Sequence, residues 1–283
     1  IRLKPKQRPG IAVDQKTGNV YWANAKGNGV WKYGPNGKYL GQIGRGTHRQ
    51  PRAVAVDSNS NLWVADTGTH RVLKYDESGV LQKTIGRKTS YPGQRGSAKG
   101  QFDQPWGVAI DSSDNVYVAE RLNRRVQVFD KDGNYLNKFG SNRGSRSGFY
   151  FRDPLGIAID SADNVYVVDI SRHWVKKFKQ TRATISDPLA WKYELTWGTW
   201  GSTSGTFDNP WGIAIDGADQ VYVADMANHW VQVFDANGRF KSNLGVGRKA
   251  GHSKGKFKYP TGVAIKKGVG ACSGDTIYVS DDK

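Results

Sequence analysis

Three histidines, His70, His173 and His229, invite a metal reading, because three imidazoles suffice to hold zinc. Two sets of carboxylates invite acid–base or cation chemistry: Asp57, Asp111, Asp160 and Asp216, and then Asp66, Glu120, Asp169 and Asp225. All of these residues recur at fixed places in a repeated phrase, so each lies in a different copy. The histidines occupy one position of units two, four and five, with Arg125 taken as its counterpart in unit three, and are not expected to converge. The first carboxylate set falls at strand ends, where a turn-forming Asp is expected. The second lies nearer a common opening, where a polar ring or a calcium site is the alternative to a structural role. His48 and His252 stand in loops without a matching third ligand and read as solvated contact residues. No nucleophile, base and orienting group fall together, and there is neither a phosphate loop nor a GxSxG elbow.

The phrase itself reads PRAVAVD at Pro51–Asp57, PWGVAID at Pro105–Asp111, PLGIAID at Pro154–Asp160 and PWGIAID at Pro210–Asp216. Altered copies stand at Pro9–Asp14 and Pro260–Lys266. Each is followed by a second apolar run, such as VYVAE or VYVAD. The period is about 50 residues, which suits four short strands and a connection, the scale of a propeller blade. The first run is wholly apolar, as a buried inner strand requires, and the third, such as RVQVFD, alternates as a half-buried strand does. No stretch has convincing helical periodicity. Residues 1–283 are thus expected to form one all-β domain, with blades opening near residues 9, 51, 105, 154, 210 and 260.

Ten Trp, thirteen Tyr and ten Phe supply apolar bulk, and no run approaches the roughly 18 residues of a membrane span. Cys272 is the single cysteine, which excludes an intrachain disulfide. The chain opens at Ile1 and is read as a processed form or an excised domain. The absence of an Asn-x-Ser/Thr acceptor weighs against a glycosylated secreted protein. With 42 Lys and Arg against 25 Asp and Glu, the net charge of +17 favours an anionic partner.

The P-x-G-V/I-A-V/I-D openings, the N-V-Y-V-A-D runs, and the segments Asp66–Asp76 (DTGTHRVLKYD) and Asp225–Asp235 (DMANHWVQVFD) resemble the NHL repeat over nearly the whole chain. The resemblance implies a six-bladed β-propeller. Unit six stops after its second strand, so its blade is expected to be incomplete or closed by the N-terminal segment Ile1–Arg8. Unit four carries an insertion, Lys179–Thr196, expected to be a lengthened hairpin at the rim with Trp191 and Tyr193 available for packing. NHL propellers of the Brain tumor and tripartite-motif kind imply RNA binding on a basic top face. The similar peptide-amidating lyases imply a zinc-binding His after the Pro that opens the inner strand. That place here holds Arg52, Trp106, Leu155, Trp211 and Thr261, none of which binds zinc.

In a propeller of this strand order, the connections between blades and the turns after second strands share one face. Those segments hold most of the positive surplus, while acidic turns such as those at Asp76, Asp130 and Asp235 collect on the opposite face. Basic loops with interleaved aromatic rings are the form expected of a single-stranded RNA reader, with cations on phosphates and rings under bases. The phosphate contacts expected are Arg49, Arg87, Lys88, Arg124, Arg125, Arg143, Arg146, Arg152, Lys254 and Lys256. The stacking platforms expected are Tyr91, Trp106, Tyr150, Trp211 and Tyr259. The leading expectation is a non-enzymatic propeller without cofactor or metal that binds a polyanion, single-stranded RNA first. The alternative is a protein-interaction scaffold or assembly subunit, and a lyase or lactonase comes third.

Overall fold

The computed structural model describes residues 10–86, 95–140, 148–181, 190–247, 250, 251, 253, 255–268 and 274–281. They form an all-β propeller with two single-turn 3-10 segments, Thr67–Thr69 and Ile170–Arg172. No helix among them is long and apolar enough to cross a membrane. Five sheets have four antiparallel strands in sequence order. The innermost strands are Ile11–Val13, Pro51–Val56, Pro105–Ile110, Pro154–Ile159 and Pro210–Ile215. A two-stranded sheet, Pro260–Lys266 paired with Thr276–Asp281, takes the sixth position and packs between the fifth blade and the first. The described residues thus form five complete blades, not six, with a two-stranded sheet in the place of the last, which was expected to be incomplete or closed by the N-terminal segment. The segment Ile1–Arg8, expected to complete it, lies outside the described residues.

The inner strands approach one another closely, and this explains the glycine of the repeated phrase. A Cβ on Gly107 would stand 2.2 Å from the Leu155 carbonyl oxygen, and one on Gly156 would stand 2.4 Å from that of Trp211. The six inner strands enclose an axial channel of only about 70 Å³. The second strands, Leu62–Asp66, Val116–Glu120, Val165–Asp169 and Val221–Asp225, are buried at every position. Their Val, Tyr and Ala side chains fill the spaces between blades, where apolar area is removed from water on both faces of each sheet.

Four of these spaces are sealed by an aromatic ring from the incoming loop, three residues before the inner-strand Pro. Phe102 packs on Phe129 at 5.6 Å, Phe151 on Phe178 at 5.6 Å and Phe207 on Phe234 at 5.5 Å. Between blades one and two the pair is His48 and Tyr75, also 5.5 Å apart. His48 is therefore not the solvated residue expected from its loop but a buried one, 3 % exposed. Its Nδ1 lies 2.8 Å from the Gly44 carbonyl and its Nε2 lies 3.2 Å from the Tyr75 hydroxyl.

At the turn end, Asp57, Asp111, Asp160 and Asp216 fold the first hairpins as expected. In Asp111, Oδ1 accepts the N–H groups of Ser113 and Asn115, and Oδ2 accepts the Tyr117 hydroxyl at 3.1 Å. A belt then joins neighbouring blades. Ser58, Ser112 and Ser161 donate from Oγ to Asp114, Asp163 and Asp219 at 2.6–2.7 Å, and Gly217 N–H donates to Asp275. Gln15 closes it, donating to the Ile265 carbonyl at 2.8 Å and accepting from Lys267 N–H at 3.0 Å. The insertion of blade four lengthens its outer strands to Trp174–Gln180 and Trp191–Trp197. Trp191 packs on Phe139 at 4.8 Å and on Tyr117 at 5.7 Å, so the base of this hairpin lies against blade three. Its tip, 182–189, falls outside the described residues.

Candidate ligand-binding face

The loop end is built by two sets of latches. At the end of five of the six second strands a carboxylate turns back and accepts a backbone N–H from its own blade's incoming loop; in blade one that place holds Asn24. Arg49 donates to Asp66 at 2.6 Å, Asp103 to Glu120 at 3.1 Å, Arg152 to Asp169 at 2.7 Å, Asp208 to Asp225 at 2.8 Å and Lys258 to Asp281 at 3.1 Å. All five carboxylates are at most 2 % exposed. Burial pushes Glu120 and Asp169 above the usual carboxylate range and takes Asp225 to about 6. Asn228, Trp230 and Gln232 also donate to Asp225 and oppose that rise. This second carboxylate set, for which a calcium or polar ring was the alternative, is structural: its oxygens hold loop backbone.

The histidines are the second latch, and each reaches across to the next blade. His70, His173 and His229 have left-handed backbone, with φ of 54°, 57° and 61°. Each accepts at Nδ1 the N–H of the residue before the next inner-strand Pro: Gln104 at 3.0 Å, Asn209 at 3.3 Å and Tyr259 at 3.0 Å. Burial pushes all three below the ordinary imidazole value, so the neutral Nε2–H tautomer that this bond requires is favoured. The three rings are held in separate blades and do not converge. In blade three the equivalent residue, with φ of 54°, is Arg124 and not Arg125.

That one-residue difference removes Arg125 from the phosphate contacts. It is 5 % exposed and its guanidinium is spent inside the blade. Nε donates to Glu120 at 2.5 Å and the terminal nitrogens donate to the carbonyls of Ser97, Ala98 and Gln101. It is a clamp on the incoming loop. Arg49 and Arg152 are exposed, whereas Arg124 and Lys256 are half-buried. Tyr259 is 41 % exposed and stands edge-on to His229 at 4.5 Å. Arg87, Lys88, Tyr91, Arg143, Arg146 and Lys254 lie outside the described residues.

Trp106 and Trp211 come together at the channel mouth, 5.8 Å apart and edge to face. Trp211 is 8 % exposed, too buried to offer a base its face. Over Trp106 lie the guanidinium groups of Arg52 at 4.9 Å and Arg121 at 5.5 Å. The exposed Arg172 similarly stands 5.4 Å from the Tyr150 ring and 5.5 Å from Trp174. The indole of Trp106 therefore supports cations, and the guanidinium planes stand over its ring. Arg52, Arg121 and Arg172 count among the loop-end charges by sequence, but nothing in the sequence marks them as ring partners, because the Arg52 contact to Trp106 crosses between blades and the other contacts depend on how the loops of one blade fold back. Arg121 also donates from Nε to Asp153 at 3.1 Å. Beside this cluster opens a cavity of about 410 Å³ lined by Trp106, Arg121, Arg152, Leu155, Ile170, Ser171, His173, Asn209 and Trp211. Among the described residues, no three His, Cys, Asp or Glu side chains gather as a metal site.

The NHL repeat model matches residues 49–75, 102–129, 151–178 and 207–234. The chain is 50 % identical to Protein lin-41 of Caenorhabditis elegans over 46 residues, covering 16 % of this chain and 4 % of that one. It is 30 % identical over 101 residues to a probable peptidyl-alpha-hydroxyglycine alpha-amidating lyase of the same organism, covering 35 % and 28 %. It is 35 % identical over 78 residues to Protein brain tumor of Drosophila melanogaster, covering 28 % and 7 %. The chain thus spans less than a third of each of these relatives. In three dimensions it resembles a streptogramin B lyase, with a TM-score of 0.62 at 14 % identity over 98 % of this chain and 77 % of that one. A likeness at that identity carries the fold alone. Matched repeats, recurring latches and radial sheets agree: the chain carries four NHL repeats within a β-propeller.

Proposed function

We propose that the loop end of this propeller binds a polyanion, single-stranded RNA first, without catalysing a reaction. NHL propellers are scaffolds that bind protein or RNA, and this reading selects between the two. The observation that carries it is the interleaving of cations and rings at one end: Arg52 and Arg121 over Trp106, Arg172 beside Tyr150 and Trp174, and exposed Arg49 and Arg152 around them. Guanidinium planes and rings supply stacking surfaces for bases, and the remaining cations meet phosphates. The latch carboxylates beneath are buried and spent on backbone, so they offer the ligand little opposing surface. Five of the six places that follow the glycine-adjacent Pro carry Arg52, Trp106, Leu155, Trp211 and Thr261 in this chain, a set suited to contact and not to metal-assisted hydrolysis or elimination.

Labelled single-stranded oligonucleotides titrated at several salt concentrations test the reading. About six engaged phosphates give a slope near −4 of log K against log salt. No binding at low salt overturns it. A protein-binding reading is favoured by one observation, Trp200, which is 72 % exposed in the loop entering blade five. A partner captured after nuclease treatment and lost on Trp200→Ala would select that reading. Among the described residues the sixth sheet has two strands, and its outer edge is a second docking candidate for that reading.

A further inference from the structure

The cavity beside the channel mouth differs from the rest of the loop end in having a floor. Trp106, Leu155, Ile170 and Trp211 form apolar walls on its axial side, and Arg121, Arg152, His173 and Asn209 stand around them. At about 410 Å³ it falls in the range of small-ligand sites, roughly 300–1,000 Å³. We infer that it is a discrete site for one nucleoside monophosphate group, with the base against the Arg121 guanidinium and the apolar Leu155 and Ile170, and the phosphate at Arg152. This deepens the polyanion reading and rests on it in one respect, that the loop end meets nucleic-acid chemistry.

The polar groups are arranged for that orientation. Arg152 is exposed, and its side chain forms no ion pair among the described residues. Arg121 is partly neutralised by Asp153, which leaves Arg152 as the stronger phosphate contact. His173 uses Nδ1 to accept Asn209 N–H, so its Nε2–H remains a donor at the cavity wall. Asn209 donates to its neighbour Asp208 and keeps its amide oxygen for an N–H of the base. A flat ring with an anion on one side fits these groups better than either part alone. The group has two sources, a free nucleotide or one nucleotide of an RNA strand turned into the mouth.

Calorimetric titration of the whole chain with uridine and adenosine 5′-monophosphates tests the site, with adenosine and inorganic phosphate as the partial ligands. The expected result is saturable binding of at least one monophosphate, tighter than either partial ligand. Arg152→Glu is expected to weaken it about tenfold or more, and Trp106→Ala, which removes the ring that supports the Arg121 guanidinium, several-fold. Arg45→Glu, the same charge change on an exposed loop residue away from the cavity, is expected to change it less than twofold. Equal loss in Arg45→Glu and Arg152→Glu, or no binding of any monophosphate at millimolar concentration, overturns the site. Oligonucleotides that bind without competition from monophosphates also overturn it while leaving the polyanion reading intact. Monophosphates that bind when oligonucleotides do not leave the site standing, assign it to the free nucleotide and remove the polymer.

Discussion

The two ends of the ring solve the same problem, holding neighbouring blades together, with different materials. At the turn end the joint is a short side chain on a carboxylate, Ser58 on Asp114 or Ser161 on Asp219, partly open to water and nearly the same from blade to blade. At the loop end an imidazole crosses to the next blade's loop while a buried carboxylate pins the incoming loop of its own blade, and the residues around them change with every blade. A uniform joint needs only to be repeated. A buried latch beneath variable side chains fixes the loop while leaving its outer surface free to differ, and a binding face needs both. The difference between the ends is therefore one of burial, and burial sets the size of each effect below.

The largest is expected at Glu120. It is fully buried, and its carboxylate accepts from Asp103 N–H, Asn123, Arg125 and Gln127. Glu120→Ala leaves the Arg125 guanidinium buried without its charge partner, a change that costs about 3–5 kcal/mol. Denaturant unfolding reads this directly. Glu120→Gln keeps one acceptor and is expected to lose less. If Glu120→Ala costs under about 1 kcal/mol, the loop-end latches are not what holds the blades.

The His48–Tyr75 pair sharpens the comparison within the loop end, because three sister junctions do the same work with two phenylalanines. His48→Phe leaves the Tyr75 hydroxyl buried without its imidazole partner and is expected to cost about 1–3 kcal/mol. Adding Tyr75→Phe recreates the sister pair and is expected to recover most of the loss, so a double-mutant cycle gives a coupling well above zero. Burial holds the His48 pKa below its ordinary 6.5. The stability it contributes is therefore full above pH 6.5 and is lost as pH falls through the lowered value. The double variant should lack that part of the acid sensitivity, which melting curves at successive pH values report. Additive single effects would show the two residues to be independent.

The scaffold was legible in the chain because propeller physics repeats itself. Gly107 and Gly156 recur for want of space beside the next inner strand, and Asp111 and Asp160 recur because each folds a hairpin. Reading failed where position depended on a one-residue register or on contact between blades. Arg125 and Arg124 are adjacent, yet one turns into the blade and the other sits at the left-handed corner. His48 looks like a loop histidine until H-R-Q-P is laid over F-D-Q-P, which shows it in the place of Phe102. That signal was present in the sequence. The arrival of Arg52 from blade two beside Arg121 over the Trp106 ring of blade three was not, since it depends on the angle between blades.

The smallest effect belongs to the turn end. Ser58 donates from Oγ to Asp114 at 2.6 Å, and its backbone N–H donates to the same carboxylate at 2.8 Å. Ser58→Ala removes only the first bond. Both residues touch water, so each freed group is rehydrated and the net loss is about 0.5–1 kcal/mol. Gly217 provides a natural control, because that junction is already held through backbone N–H alone, on Asp275 at 2.8 Å. The ring thus tolerates a missing hydroxyl in one place, and Ser58→Ala should lower the melting temperature by no more than a few degrees. A loss as large as that of Glu120→Ala would show the belt to be as critical as the latches, and the contrast between the two ends would have to be abandoned.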